Sequence, residues 1–233
     1  MGEVVEFPSN GSTGQGYIAT PENGAESTAG IVVLQEWWGL VDQIKHTCDR
    51  LADAGFTALA PDLYHGATVP LTEPDEAGKQ MMALKMDTAA KDLSGAVDEL
   101  VRRTGRGQVG VIGFCMGGGL ALVLATQRPD AVAAVVPAYG LVPWPDAQPD
   151  YTKLTAAVLG HAAEEDDYFT PDAARALESE LREFCLLYTS GAGPRRWSSP
   201  RSTERSEPEG ACPSARRSTC RTTDWSGAHP RPP

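Results

Sequence analysis

Hydrophobic positions fall into two repeating patterns along the first four fifths of the chain. Short near-continuous apolar runs, Gly30 to Gln35, Phe56 to Ala60, Val109 to Ile112, Val132 to Pro137 and Thr155 to Leu159, read as strands buried on both faces of a parallel sheet. Between them lie segments of helical period. Asp42 to Ala54 carries Val41, Ile44, Cys48 and Leu51 on one side and is closed by Gly55; Asp87 to Arg103, with Asp87 as N-cap, carries Leu93, Val97 and Leu100. Leu120 to Ala125 and Asp172 to Phe184 complete the set, the latter opened by Thr170-Pro171 and presenting Leu177, Leu181 and Phe184. Ahead of them, Glu3 to Phe7 and Gln15 to Thr20 flank Ser9-Asn10-Gly11-Ser12, the signature of a hairpin. His65 to Gly78, rich in Pro, Glu, Thr and Gly, reads as a loop above the sheet. The alternation predicts one α/β domain over residues 1–184, mostly parallel, with helices on both faces.

From Cys185 onward the periodicity stops. Residues 1–184 hold 12 Lys+Arg against 27 Asp+Glu, whereas residues 185–233 hold 8 arginines, no lysine and 4 acids, in a Ser, Pro, Thr and Arg composition that buries no core. Cys185-Leu-Leu-Tyr-Thr-Ser190 is also what a transposon end used in sequencing libraries encodes, so a read-through or frameshift accounts for the break. The tail is expected to be disordered and foreign to the fold, and its arginines carry no weight in the functional reading. The acidic first part argues against nucleic acid as a partner. No apolar run is long enough to span a bilayer, and Met1 to Asn10 lacks the pattern of a signal peptide, so a cytosolic protein is expected. Five cysteines at unpaired spacings, 48, 115, 185, 212 and 220, argue for free thiols over a disulfide framework or a zinc site.

The chemistry concentrates where strands end. Gly113-Phe114-Cys115-Met116-Gly117 is the nucleophile-elbow pattern with cysteine at its centre, between a strand and a helix. A buried cysteine in a glycine-rich turn is ordinarily packing. Here the position at a helix N-terminus favours a thiolate and an oxyanion, and a second motif upstream fits the same site. That motif is Glu36-Trp37-Trp38-Gly39, directly after a buried strand, where open α/β sheets bind ligands. The acidic loop Glu164-Glu165-Asp166-Asp167 ends another strand; His161 beside it reads as part of the strand end, and His46 and Cys48 as ordinary helix residues.

Gln35-Glu36-Trp37-Trp38-Gly39, Gly113-Phe114-Cys115-Met116-Gly117-Gly118 and Asp167-Tyr168-Phe169-Thr170-Pro171, in this order, resemble the dienelactone hydrolases (carboxymethylenebutenolidases), cysteine members of the α/β-hydrolase fold. The resemblance implies a lactone or small-ester substrate, with a general carboxylesterase as the nearest alternative; the sequence shows no Gly-rich phosphate loop or metal-ligand cluster, so no cofactor and no metal are expected, and neither are nucleic acid or membrane partners for what is expected to be a monomer. It implies Cys115 as nucleophile, Asp167 (or Asp166, if the register shifts by one) as the acid that orients a histidine, and Glu36 as the group that helps the thiol ionise. The backbone N–H groups of Trp37 and Met116 would form the oxyanion hole, and Trp38 and Tyr139 would line the substrate pocket. It also implies a histidine in a Gly-x-x-His segment after the last strand, where this chain reads Tyr188 to Pro194; the one later histidine is His229. The arginines that hold a substrate carboxylate are likewise absent from Tyr64 to Ala90, where Lys79 and Lys85 are the cations. The expectation is a hydrolase lacking its last strand, helix and catalytic histidine, with a catalytically impaired ligand-binding or thiol redox-sensing homologue as the alternative.

Overall fold

The computed structural model describes residues 2–26, 28–140 and 142–183. Its centre is a seven-stranded sheet with strands β1 (Glu3–Ser9), β2 (Ser12–Ala19), β3 (Ala29–Leu34), β4 (Phe56–Pro61), β5 (Val109–Phe114), β6 (Val132–Ala138) and β7 (Ala157–Val158) in the order β1-β2-β4-β3-β5-β6-β7. β1 and β2 form the hairpin expected from Asn10-Gly11, both at positive φ (40° and 101°), the backbone a two-residue hairpin loop needs for its twist to match the strands. β2 meets β4 antiparallel; every pairing from β4 to β7 is parallel.

The described residues form five α-helices: α1 (Asp42–Asp53), α2 (Pro74–Met82), α3 (Met86–Thr104), α4 (Met116–Gln127) and α5 (Pro171–Glu183). On one face α1 sets Ile44, Cys48 and Ala52 against Tyr17, Val33, Ala58 and Ala60. On the other, Leu93, Val97 and Leu100 of α3, Leu120 and Leu124 of α4 and Leu177 and Leu181 of α5 share one core with Val32, Leu34, Val111 and Val135. α4 is buried along its whole length to Thr126, which is why its sequence is apolar all round. This is the α/β-hydrolase arrangement, with helices on both faces.

Three expectations shift. The loop over His65 to Gly78 contains the start of α2: Pro74 takes the first turn, where its missing N–H costs nothing, and Asp75 and Glu76 complement the helix dipole. α3 begins two residues earlier, with Lys85 in place of Asp87 at the N-cap and Asp87 inside the first turn. The strand expected over Thr155 to Leu159 narrows to Ala157–Val158, which pair with Ala134 and Val135 at the sheet edge. The Thr170 cap of α5 is present, its Oγ1 accepting from the Ala173 N–H at 3.2 Å. Phe184, the break at Cys185, the tail, and the expected loss of the last strand, helix and histidine lie outside the described residues. Among the described residues no helix is long and apolar enough to cross a membrane.

Candidate active site

The parallel register brings three strand ends together. Leu34 of β3 pairs with Gly113 of β5, and Phe114 pairs with Ala138 of β6, so Glu36, Cys115 and Tyr139 emerge side by side at the C-terminal edge. Cys115 sits at φ 51° and ψ −120°, a conformation that costs a residue with a Cβ about 1–3 kcal/mol and persists only when its surroundings fix it. They do so through the backbone: the Cys115 N–H donates to Ala138 O at 3.0 Å, and Cys115 O accepts from the Gly118 N–H at 2.8 Å. A Cβ on Gly117 would lie 2.6 Å from both Leu34 O and Gln35 O, and one on Gly113 would collide with Gly117 O. The bracketing glycines therefore let β3, β5 and the first turn of α4 close on the cysteine.

Around the thiol, opposing influences are legible. Burial acts most strongly and raises the Cys115 pKa; the Met116 N–H lowers it; the carboxylates of Glu36 and Asp166 raise it; and the Trp37 N–H lowers it. The net direction is upward. The helix N-terminus that the sequence suggested would favour a thiolate is opposed by desolvation and two nearby carboxylates. The two N–H groups that lower it, Trp37 and Met116, come from the ends of different strands, β3 and β5.

Glu36 is half-buried, and its Oε1 accepts a hydrogen bond of 2.9 Å from the Tyr139 hydroxyl. Tyr139, at φ 39°, is raised in pKa by burial first, then by Glu36, Cys115 and Asp166. Of the two candidate acids, Asp166 is the one whose charge reaches Cys115 and Tyr139; Asp167 is exposed. The reason is local: Asp166 Oδ1 accepts from the N–H groups of Tyr168 and Phe169, both at 2.8 Å, and buried Phe169 anchors that turn. His161 is exposed at the strand end, bridging Ala138, with its N–H donating to Pro137 O at 2.9 Å.

Tyr64, just past β4, is a further neighbour of the site with no role assigned from the sequence. It is buried, its hydroxyl lies 3.5 Å from Met116 Sδ, and burial followed by the charge of Cys115 raises its pKa. A tyrosine just past a buried strand, in Pro61-Asp62-Leu63-Tyr64, was the available signal. Asp62 holds that turn, accepting from the N–H groups of Tyr64 at 3.1 Å and Gly66 at 2.6 Å. Beside the site an open groove of about 530 Å³ is lined by Trp37, Pro74, Asp75, Gly78, Lys79 and Tyr168. Trp37 packs edge-on against Trp38 (centroids 5.3 Å) and Tyr168 (6.1 Å); Trp38, expected in the substrate pocket, is not among the residues that line the groove. Among the described residues no cluster of three or more His, Cys, Asp or Glu could hold a metal ion.

Known proteins resemble this chain over most of its length. The chain is 40% identical over 185 residues to Protein usf of Aquifex pyrophilus, covering 74% of this chain and 75% of that one. It is 29% identical over 192 residues to carboxymethylenebutenolidase 1 of Cupriavidus pinatubonensis, covering 78% and 79%. Among solved structures, a dienelactone hydrolase-like promiscuous phosphotriesterase from metagenomic libraries superimposes with a TM-score of 0.66 at 25% identity, covering 82% of each chain. Residues 15–186 match the profile of the dienelactone hydrolase family, to which this chain belongs.

Proposed function

We propose that this chain cleaves lactones or small carboxylic esters through Cys115 and an acyl-enzyme. The observation that carries the reading is a cysteine held at positive φ where the ends of β3, β5 and β6 meet, with the Tyr139-bound Glu36 beside it. The Cys115 S–H proton passes to the Glu36 carboxylate as sulfur attacks the carbonyl carbon. The carbonyl oxygen takes the negative charge and accepts from Trp37 and Met116, an arrangement worth roughly 10² to 10³ in rate per donor. Collapse breaks the ester C–O bond, the leaving oxygen takes the proton back from Glu36, and a thioester remains on Cys115. Water then attacks the thioester, releasing the acid and regenerating the thiol. Tyr139 holds Glu36 in place, and Asp166 is the acid best placed to orient a base for the water step. The setting remains a cytosolic monomer acting on small molecules without a cofactor.

A second reading, an impaired homologue that binds ligands or senses oxidants through Cys115, is favoured by one observation. Among the described residues, the groups acting most strongly on the thiol are backbone N–H groups and carboxylates, with no histidine among them. One experiment separates the two. Rapid mixing with 4-nitrophenyl acetate should release one equivalent of nitrophenol and leave an acetyl group on the Cys115 peptide, and Cys115→Ala should abolish both. No burst and no acetylated peptide would leave the second reading standing.

A further inference from the structure

We infer that the groove beside Trp37 selects esters and lactones that are uncharged or cationic where they lie against it, and discriminates against carboxylate-bearing ones. The inference deepens the hydrolase reading and rests on it for the chemistry, though not for the selectivity. The groove wall is aromatic. Trp37 and Tyr168 meet at 69°, Gly78 of α2 contributes no side chain opposite the Trp37 ring, and Tyr168 is 85% exposed, so its ring is open to a ligand. Such faces accept apolar groups or the face of a cation, and repel an anion through their quadrupole.

The fixed charges point the same way. Asp75 lines the groove; Lys79, its one lining cation among the described residues, already pairs with Glu76 Oε2 at 3.2 Å. Toward the thiol stand the carboxylates of Glu36 and Asp166, and the loop that brings Asp166 and Tyr168 here also holds Glu164, Glu165 and Asp167, all exposed. A carboxylate ligand entering here meets like charge, and formation of the oxyanion at Cys115 adds one more negative charge. An ammonium group relieves both. The opposing possibility is that a carboxylate draws Lys79 away from Glu76, since an ion pair this exposed is weak.

The test uses the full chain and reads the field at Cys115 without requiring turnover. Cys115 is modified with methanethiosulfonates of three charges (trimethylammonioethyl, methyl and sulfonatoethyl), each rate being divided by the same reagent's rate with 2-mercaptoethanol and assigned to Cys115 by peptide mapping. The cationic reagent should exceed the anionic one by at least about tenfold, a 1.4 kcal/mol preference. Asp75→Asn should narrow that ratio and Lys79→Met should widen it. Equal rates, or faster anionic modification that Lys79→Met abolishes, would overturn the inference. In parallel, acylation bursts are measured with the 4-nitrophenyl esters of butyrate, hemiglutarate and 4-(trimethylammonio)butyrate. Absence of any burst alongside the expected reagent order sinks the hydrolase reading alone; a hemiglutarate burst as fast as that of butyrate sinks the selectivity alone.

Discussion

The Tyr139 hydroxyl donates to Glu36 Oε1 across 2.9 Å, joining residues 103 positions apart in sequence at the ends of β6 and β3. The bond fixes one oxygen of the carboxylate proposed to take the Cys115 proton, and a hydrogen bond to a charged group is worth about 1.5–3 kcal/mol. Tyr139→Phe should therefore slow the acylation burst by about tenfold or more while leaving far-UV circular dichroism unchanged. An unaltered burst would show that Glu36 needs no such anchor.

Thiol reactivity should separate Cys115 from Cys48 sharply. Cys48 is fully buried and its pKa is pushed up to about 12 by desolvation, then by the charge of Asp49. Native iodoacetamide labelling with peptide mapping should find Cys115 modified and Cys48 untouched. Because the Cys115 pKa is also raised, its labelling rate should climb with pH through and beyond the ordinary thiol range around 9 without levelling off there. A plateau near neutral pH would mean the thiolate is stabilised after all.

Cys48 makes a matching prediction for stability. The unfolded thiol ionises near its ordinary value and the folded one near 12, so the neutral thiol is the form the fold accommodates. Its stabilising contribution is complete below pH about 8.5 and is lost as pH rises toward 12, by several kcal/mol at most. Denaturant midpoints at pH 8 and 10.5 should fall less steeply with pH in Cys48→Ala than in the wild type. Identical slopes would refute the assignment.

Gly140 tests how the elbow is held. A Cβ there would collide with Cys115 O and lie 3.0 Å from Gly119 N, both backbone atoms, whereas one on Gly107 meets nothing within 4 Å. Gly140→Ala should cost about 3 kcal/mol or more, within the range of mutations that force backbone to move, and Gly107→Ala well under 1 kcal/mol. Thermal unfolding of the two variants gives the comparison, and equal melting temperatures would contradict it.

The acid pair can be resolved by neutralisation. Asp166→Asn removes a charge that raises the Cys115 pKa, so iodoacetamide labelling at pH 8 should speed up; Asp167→Asn should leave it within about twofold. Steady turnover in this chain should be slow, since general base catalysis of the water step supplies about 10² to 10⁴ and a Gly-x-x-His segment is not found in its place. Grafting such a segment after Phe184 should raise turnover by that order, and rapid turnover without it would turn attention to His161.

By itself the sequence determined the elements and the elbow. Apolar runs of strand length, helical spacing in α1 and α3, Asn10-Gly11 and the glycines around Cys115 act through local sterics and burial, which a linear pattern records. Tertiary structure decided what depended on other strands. Whether Asp166 or Asp167 faces the thiol turns on an Asx turn anchored by Phe169, and one residue of register is invisible in a run of four acids. α2 was masked by Pro and Gly that serve as its first turn and as the gap opposite Trp37. The direction in which the Cys115 pKa moves was out of reach of the motif altogether, because a helix N-terminus is visible in sequence while the desolvation and the carboxylates that oppose it exist only once β3, β5 and the acidic loop are folded together.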